Sequence, residues 1–441
     1  MQDHLNRRQV LRQASVAGMG LLAGGLATRA AARPLSPNDK LNIACIGVGG
    51  RGGANTKAMA GENVVALCDV DRLRLEAMAK QFPEARLYRD YRKLLDEEKA
   101  LDAVVVSTPD HHHVWPSVTA MNRGLHVYCE KPLTHSVAEA RLLADTVRRT
   151  KVITQMGTGG QSGAAFWRTV AAIRAGVIGQ VQEVHHWTNR PIWPQGQERL
   201  AGEDPVPAHL DWDLWIGPAP MRPYKDKYPD GPFQGKPVYH PFVWRGWFDF
   251  GTGALGDIAP HAINVTFRAL DLGAPKAVEA ECSGTKGDSF PSWSIVRFEF
   301  PATGQRPAVK LIWYDGGKRP AGELLGIQEV PDSGTLFVGT KGMLYNSTLL
   351  PSADFKDFQW PEAREPYPDV HVDWIESVKA GRATGCNFEY SAPMTEAYLL
   401  GNIALRVGQR IEWDPAAFKI TNCPAANQYL KREYRKGWEV G

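Results

Sequence analysis

The sequence predicts an α/β N-terminal domain built on a parallel sheet, joined to an α+β C-terminal domain with a large, mostly antiparallel sheet. Three observations carry this. From Lys40 to about Met156, strand-length apolar runs alternate with helix-like amphipathic stretches such as "VAEARLLADTVRR". Those runs are near-continuous in Val, Ile, Ala and Leu, as strands buried on both faces are. After Thr158 the pattern changes, and "SIVRFEF" alternates Val296, Phe298 and Phe300 with Arg297 and Glu299, as a strand with one covered face does. At 441 residues, 43% hydrophobic and 22% charged, the chain is long enough for two cores. The expected division is a leader at 1–32, a first domain at 38–157 and a second at 158–441.

The leader begins with a basic stretch, continues through a Gly-rich apolar run of 14 residues from Ala14 to Ala27, and exits at Ala30, Ala31 and Ala32. Arg7-Arg8 followed by Val10-Leu11 resembles a twin-arginine export signal. The alternative, a membrane anchor, needs a spanning helix of about 17 to 25 apolar residues. Export through the twin-arginine machinery, to a periplasmic or secreted location and without a stable anchor, is the expectation. The formal charge of +3 is accounted for by four arginines against one aspartate within residues 1–32. The remainder is neutral and lacks a basic patch interleaved with aromatics, which speaks against a nucleic-acid partner. Six scattered cysteines form no C-x-x-C pair, so neither a zinc site nor a disulfide framework is expected.

In the first domain, Gly47-x-Gly49-x-x-Gly52 follows the strand "NIACIGVG" and opens a helix. Backbone amides there can meet a pyrophosphate with no side chain intervening. Asp69 ends the second strand, 17 residues beyond Gly52. A carboxylate at that point accepts bonds from a ribose 2′-hydroxyl and repels a 2′-phosphate, which favours NAD over NADP. A ligand-free glycine turn is the plainer reading of the glycines alone, but strand, helix and acid together describe a Rossmann nucleotide site. "STPDHHHVW" ends the fourth strand run and "CEKPLTH" the fifth. Loops at the carboxyl ends of parallel strands line the crevice, so Thr108, Pro109, His113, Glu130 and Lys131 are expected beside the dinucleotide. His111 and His112 fit either a cofactor contact or a solvated loop. Grouping His111, His112 and His113 with His185 and His186 as a metal site finds no supporting spacing, and no metal is expected.

These motifs, Gly47-Val-Gly49-Gly50-Arg51-Gly52, Thr108-Pro109-Asp110 with His113, Glu130-Lys131-Pro132, and Gly253-Ala-Leu-Gly-Asp257 with His261, resemble the Gfo/Idh/MocA superfamily over essentially everything after the leader. The resemblance implies that Lys131 is the catalytic lysine, with Asp257 and His261 completing the site. Where an acid often follows the histidine by three residues, this chain has Asn264. From the residues alone, Lys131 at a strand end before Pro132 can share or shuttle a hydroxyl proton if buried. "GDIAPHAINVTFRALDLG" reads as one helix with Ile263, Phe267 and Leu270 on one face. Asp257 then occupies an N-cap position, which is an alternative to a catalytic role, and Pro260 lies in the first turn. His261 would lie near the positive helix end, which favours neutral imidazole.

Residues 187–252 have no clear periodicity and are dense in aromatics, Pro and Gly, as long site-serving loops are. Arg190, Trp193, Arg222, Trp244, Arg245 and Trp247 are expected at a carbohydrate substrate, with Trp212, Trp215 and Asp249 also available. One or two tryptophans should touch substrate while the rest pack. The resemblance implies that the second domain's open sheet face makes a homo-dimer or homo-tetramer contact.

The expected function is NAD-dependent hydride transfer on a sugar or glycoside hydroxyl. Export removes the free NAD pool, so the nucleotide should stay bound and be recycled within each turnover. Two schemes do so: oxidation of one sugar coupled to reduction of another, or transient oxidation, elimination, water addition and re-reduction, as the resemblance to NAD-dependent glycosidases implies. A non-catalytic sugar-binding scaffold holding NAD is the third possibility.

Overall fold

The computed structural model describes residues 39–439. The leader expected at 1–32 lies outside the described residues. The first sheet contains β1 (Asn42–Ile46), β2 (Asn63–Cys68), β3 (Arg86–Tyr88), β4 (Ala103–Val106), β5 (His126–Glu130) and β6 (Thr154–Gly157). Their spatial order is β3-β2-β1-β4-β5-β6, with every neighbouring pair parallel. The chain steps outward from β1 to β2 and β3 on one side and then crosses to β4, β5 and β6 on the other, so the order reverses between β1 and β4, where a crevice opens beyond the carboxyl ends.

Burial on both faces accounts for the continuous apolar runs. Ala44, Ile46, Val104, Val106, Val127 and Cys129 pack on one side. Ile43, Cys45, Leu67, Val105 and Tyr128 pack on the other, against Val370, Trp374 and Val378. Those last three belong to the helix Val370–Ala380, so late sequence supplies part of the nucleotide domain's back layer. The six cysteines are free; Cys45, Cys68 and Cys129 are buried in the core, as small hydrophobes are.

The second sheet has nine strands in the order β13-β12-β11-β7-β10-β9-β8-β14-β15. These are β7 (Val181–Trp187), β8 (Ala277–Cys282), β9 (Ser294–Phe300), β10 (Val309–Asp315), β11 (Gly334–Gly339), β12 (Met343–Tyr345), β13 (Thr348–Leu350), β14 (Ile411–Asp414) and β15 (Lys419–Ile420). Only β7 and β10 pair parallel. On β9, Val296, Phe298 and Phe300 are buried while Arg297 and Glu299 between them are half-buried, matching the alternation. The 20-residue helix Phe388–Val407 covers this inner face and also packs on the helix Val137–Thr150 of the first domain. Arg141 on the latter makes two bonds to Glu396, at 2.8 and 3.0 Å. Among the described residues, no helix is long and apolar enough to cross a membrane.

Several histidines within this framework are held neutral. Burial pushes His261 and His126 down to about 4, and His112 and His186 to about 3, from an ordinary 6.5. For His126, Nδ1 accepts the Ile153 amide at 2.9 Å, a bond open only to the unprotonated nitrogen. The unfolded chain binds these protons near 6.5, the folded chain only near 4 or below. Their stabilising effect is therefore full above 6.5 and is lost as pH falls through that window. Asp110 and Asp315, raised to about 6 by burial, act in the opposite sense over part of it. His111, His135 and His185 are lowered in the same sense as the four imidazoles, against Asp69 and, above 6.5, His113, which leaves the neutral histidines dominant. The melting temperature is expected to fall between about pH 7 and about pH 5; a rise would contradict the assignment of neutral buried imidazoles.

Candidate active site

A cavity of about 620 Å³ opens at the order reversal. One end is the glycine turn. Gly47 has φ +79°, and a Cβ there would approach the Ser107 carbonyl oxygen to 2.7 Å; a Cβ on Gly52 would lie 1.8 Å from the Gly47 oxygen. Bare backbone is thus required here, and the helix Arg51–Ala58 starts directly from it. Gly47, Gly49, Gly50, Arg51 and Gly52 all line the cavity, as do Asp69, Thr108, Pro109, Glu130 and Lys131. Asp69 is fixed by amides, Val48 N–H to Oδ2 at 3.0 Å and Asp71 N–H to Oδ1 at 2.9 Å. Each oxygen keeps a further lone pair for a hydroxyl. Burial pushes its carboxyl up despite those two donors. Glu130 ties the glycine helix to β5, accepting from Asn55 at 2.9 Å and from Arg51 at 3.2 Å. Thr108 Oγ1 is buried at the wall with no protein partner. Bare backbone, a fixed acid and an orphaned hydroxyl are what a dinucleotide would meet, so the residues present fit NAD.

His113 departs from expectation. It is buried away from the cavity wall, with Nδ1 2.7 Å from the Pro132 carbonyl and Nε2 2.8 Å from that of Thr108. Both nitrogens face acceptors, so both carry protons. Burial opposes the charge, but Cys129, Asp110 and the Thr108 carbonyl outweigh it and raise the group to about 10. It braces the two loops instead of touching a cofactor. His111 and His112 are buried, not solvated, and both turn Nε2 to the Trp215 carbonyl, at 3.0 and 2.8 Å. Among the described residues no group of three or more His, Cys, Asp and Glu is arranged for a metal ion.

At the other end, Lys131 Nζ donates to Asp257 Oδ1 and to the Asp257 carbonyl, each at 2.7 Å. Arg245 Nε reaches the same Oδ1 at 2.9 Å. Burial works against the Asp257 charge, but Lys131 and Arg245 together hold its carboxyl below the ordinary range. An ammonium has three N–H groups, so Lys131 retains a donor for a ligand. His261 lines the cavity, part of its side chain open to it and the imidazole otherwise packed round by protein. Its Nδ1 lies 3.0 Å from Thr158 Oγ1, which also lies 3.3 Å from the Pro260 carbonyl. With the hydroxyl proton on the Pro260 carbonyl, Nδ1 is the donor and Nε2 keeps its lone pair for the cavity, the tautomer that can accept a proton there. Burial first and the Lys131 charge second lower this imidazole to about 4, so it is neutral at physiological pH.

The helix carrying these groups corrects three expectations. It runs Gly253–Ala262 with Thr252 at its N-cap, and a second helix, Asn264–Leu270, follows the break at Ile263. Asp257 is thus interior and caps nothing. Pro260 lies in the last turns, and His261 sits near the negative end, so its neutrality comes from burial and Lys131, not from the helix start. Gly253 explains the early start: at φ +66°, with a Cβ position 2.7 Å from Phe290, it swings the chain into the helix well before the proline. Asn264 is buried, accepting from Gln161 at 3.3 Å and from Tyr390 at 2.7 Å, a packing role three residues beyond the histidine.

Of the expected substrate residues, Arg190, Trp193, Trp244 and Arg245 line the cavity. Arg222 and Trp247 do not. Trp247 is 1% exposed and donates its indole N–H to the Val238 carbonyl at 2.8 Å. The Arg222 guanidinium lies 4.7 Å from the Phe250 ring centre and is ion-paired with Asp249. Both belong to an aromatic core that residues 187–252 build for themselves, with Trp212 and Trp215 stacked at 4.7 Å. A guanidinium caged by rings and answered by a carboxylate is a structural pin.

Sequence reasoning missed how this segment is fastened. Asp71, buried beyond β2, accepts from Leu73 N–H at 3.0 Å, Arg74 Nε at 3.2 Å, His209 Nδ1 at 2.9 Å and His240 Nε2 at 3.0 Å. His240 and Arg74 also line the cavity. One carboxylate therefore clasps the aromatic segment to the nucleotide end. Asp71→Asn removes the charge from these bonds, and is expected to cost about 3 kcal/mol. Urea unfolding checks this; an unchanged midpoint would exclude the clasp as a stabilising element.

Comparison with known proteins places this geometry. The Gfo/Idh/MocA oxidoreductase family's NAD-binding Rossmann fold matches residues 41–158, and its C-terminal alpha/beta domain matches residues 176–440. A glycosyl hydrolase family 109 protein of Solibacter usitatus (strain Ellin6076) is 32% identical over 166 residues, 34% of this chain and 38% of that protein. Glycosyl hydrolase family 109 protein 1 of Shewanella sp. (strain ANA-3) is 26% identical over 205 residues, 40% of this chain and 44% of that protein. The matches thus span about two-fifths of these relatives' length. Among solved structures, the WlbA dehydrogenase from Bordetella pertussis in complex with NADH and UDP-GlcNAcA shares the fold at a TM-score of 0.58 and 15% identity, covering 85% of this chain and 99% of that one. The aldose-aldose oxidoreductase from Caulobacter crescentus complexed with glycerol does so at 0.55 and 16%, covering 85% and 100%. With both domains matched in order by the family models, and a cavity whose glycine turn fits the cofactor, the chain belongs to the Gfo/Idh/MocA oxidoreductase family and carries its NAD-binding Rossmann domain.

Proposed function

We propose that this protein is an exported NAD-dependent oxidoreductase acting on a sugar or glycoside hydroxyl, with its nucleotide retained and recycled in each turnover. The observation that carries the reading is Lys131, held at 2.7 Å by Asp257 beside the neutral His261, in the same cavity as the glycine turn. A nicotinamide bound there supplies a hydride acceptor and donor for a carbinol carbon. The chain's own residues handle the proton. Lys131, held in place by Asp257, donates its remaining N–H to the substrate hydroxyl oxygen and stabilises the negative charge that develops there. His261 Nε2 takes the hydroxyl proton. Trp193 and Trp244 offer apolar walls for a sugar ring, and Arg190 and Arg245 offer donors to its hydroxyls.

The second reading is a redox-neutral NAD-dependent glycoside hydrolase, and the glycosyl hydrolase family 109 names of the two bacterial relatives favour it. It needs no pair of carboxylates flanking the bond, and the Lys131–Asp257–His261 group serves its oxidation step equally well. Incubation with an aryl glycoside and no added NAD separates the two. Phenol release without net NADH selects the hydrolase, and a requirement for a second sugar selects coupled oxidation and reduction. Inertness of NAD-loaded protein toward broad panels of glycosides and aldoses would refute both and leave a binding scaffold.

A further inference from the structure

Behind the Lys131 loop lies a second, smaller cavity of about 90 Å³, room for roughly three waters at ~30 Å³ each. Three buried polar atoms without a protein partner belong to residues of its wall: His135 Nε2, Asn402 Oδ1 and Arg432 Nη1. Their chemistry selects the occupant. Burial lowers the pKa of His135, so its ring is neutral and offers one donor and one acceptor nitrogen. Asn402 donates its Nδ2 to the Thr252 carbonyl at 2.8 Å, which orients Oδ1 as an acceptor. Arg432 Nη1 is a donor. A neutral imidazole, an amide oxygen that accepts and a guanidinium N–H that donates suit water, which supplies both functions, and suit an anion poorly. Arg406 and Lys431, both exposed, lead from this wall to solvent.

Thr252 joins the two cavities. It lines the smaller one, and its hydroxyl donates to Asp110 Oδ2 at 2.8 Å, while Asp110 lines the substrate cavity. This bond also explains why Thr252 stands at a helix N-cap without capping it. We propose that Asp110 and Thr252 form a proton path from the substrate cavity to this hydrated rear cavity, so that protons cross the back of the site while substrate fills its mouth. The inference rests on the proposed removal of a hydroxyl proton. One proton leaves the substrate oxygen for His261, crosses the shared cavity through water to Asp110 at its wall, and passes from Asp110 to Thr252 Oγ1 as that hydroxyl turns its own proton to a rear water; each carrier gains one and gives one, and solvent receives one. Asp110 suits this relay because burial raises its carboxyl to about 6, against the pull of His113 and Arg245 and with Asp257 adding to the rise. The charged and titratable groups facing the rear end are His135, Arg406, Tyr429, Lys431 and Arg432, none of them a carboxylate that would trap the proton.

Thr252→Val keeps the shape and removes the relay. It is expected to lower kcat roughly 10- to 100-fold at unchanged KM and unchanged NAD content, and to enlarge the solvent deuterium isotope effect. Thr252→Ser should restore kcat to within about twofold. A Val variant with wild-type kcat and isotope effect would overturn the path. If Thr252→Val fails to fold, Asp110→Asn, which still accepts the Thr252 bond but carries no proton, takes its place with the same expectation. A high-resolution crystal structure of the NAD-loaded protein tests the path without any sugar. Ordered waters joining Thr252 Oγ1 to His135, Asn402 and Arg432 support it, and a dry rear cavity overturns it even if sugar oxidation is confirmed. Waters present in a protein inert toward sugars would overturn the catalytic reading and, with it, the relay.

Discussion

Lys131→Ala is expected to lower turnover by about 10³-fold while leaving NAD bound. The substitution removes the donor aimed at the substrate oxygen, but it touches neither the glycine turn nor Asp69, 62 positions away along the chain. Asp257 is not left as an orphaned charge, because Arg245 still holds it at 2.9 Å. Folding should therefore survive, and the loss should fall on kcat more than on substrate binding. Lys131→Arg keeps a cation but replaces a point donor by a planar fork, and should recover little. Single-turnover absorbance of bound nicotinamide on mixing with substrate reads the effect directly. Wild-type rates in Lys131→Ala would remove the lysine from the reaction.

Gly52→Ala is expected to empty the protein of NAD. Its Cβ would lie 1.8 Å from the Gly47 oxygen and 3.0 Å from Ser107 Cβ, so the turn must open. Opening it moves the amides that would face a pyrophosphate, and binding there depends on close backbone approach. The dissociation constant should rise at least ~100-fold, with little change in far-ultraviolet circular dichroism. Gly61→Ala is the control, since nothing lies within 4 Å of a Cβ there. Equal NAD content in the two variants would contradict the assignment of the turn.

The parts of the molecule that local chemistry determines are legible in the sequence. Continuous apolar strands announce a sheet covered on both sides, and a glycine triplet between strand and helix with an acid at the next strand end has few other uses. Lys131 is legible because it ends a strand at the crevice side. The remainder escapes local reading for identifiable reasons. Pro260 suggests a helix start because proline is tolerated there, yet Gly253, with its positive φ, begins the helix seven residues earlier. His113 has the position of a cofactor contact, but two carbonyls on opposite sides draw it into the protein. Among the tryptophans, Trp244 and Trp247 are three residues apart in one loop, and only the three-dimensional course of that loop decides that one lines the cavity while the other fills the core. The Asp71 clasp is invisible because its partners are 138 and 169 positions away. The helix Val370–Ala380 likewise reaches the first domain from far along the chain, and no local pattern encodes such a distance.

That the nucleotide is a resident part of the protein is tested most directly by purifying the chain without added NAD, denaturing it, and quantifying the dinucleotide released. The expected result is about one NAD per chain and sugar-dependent turnover that added NAD does not raise. Protein that is folded yet empty of dinucleotide, and indifferent to its addition, would contradict it.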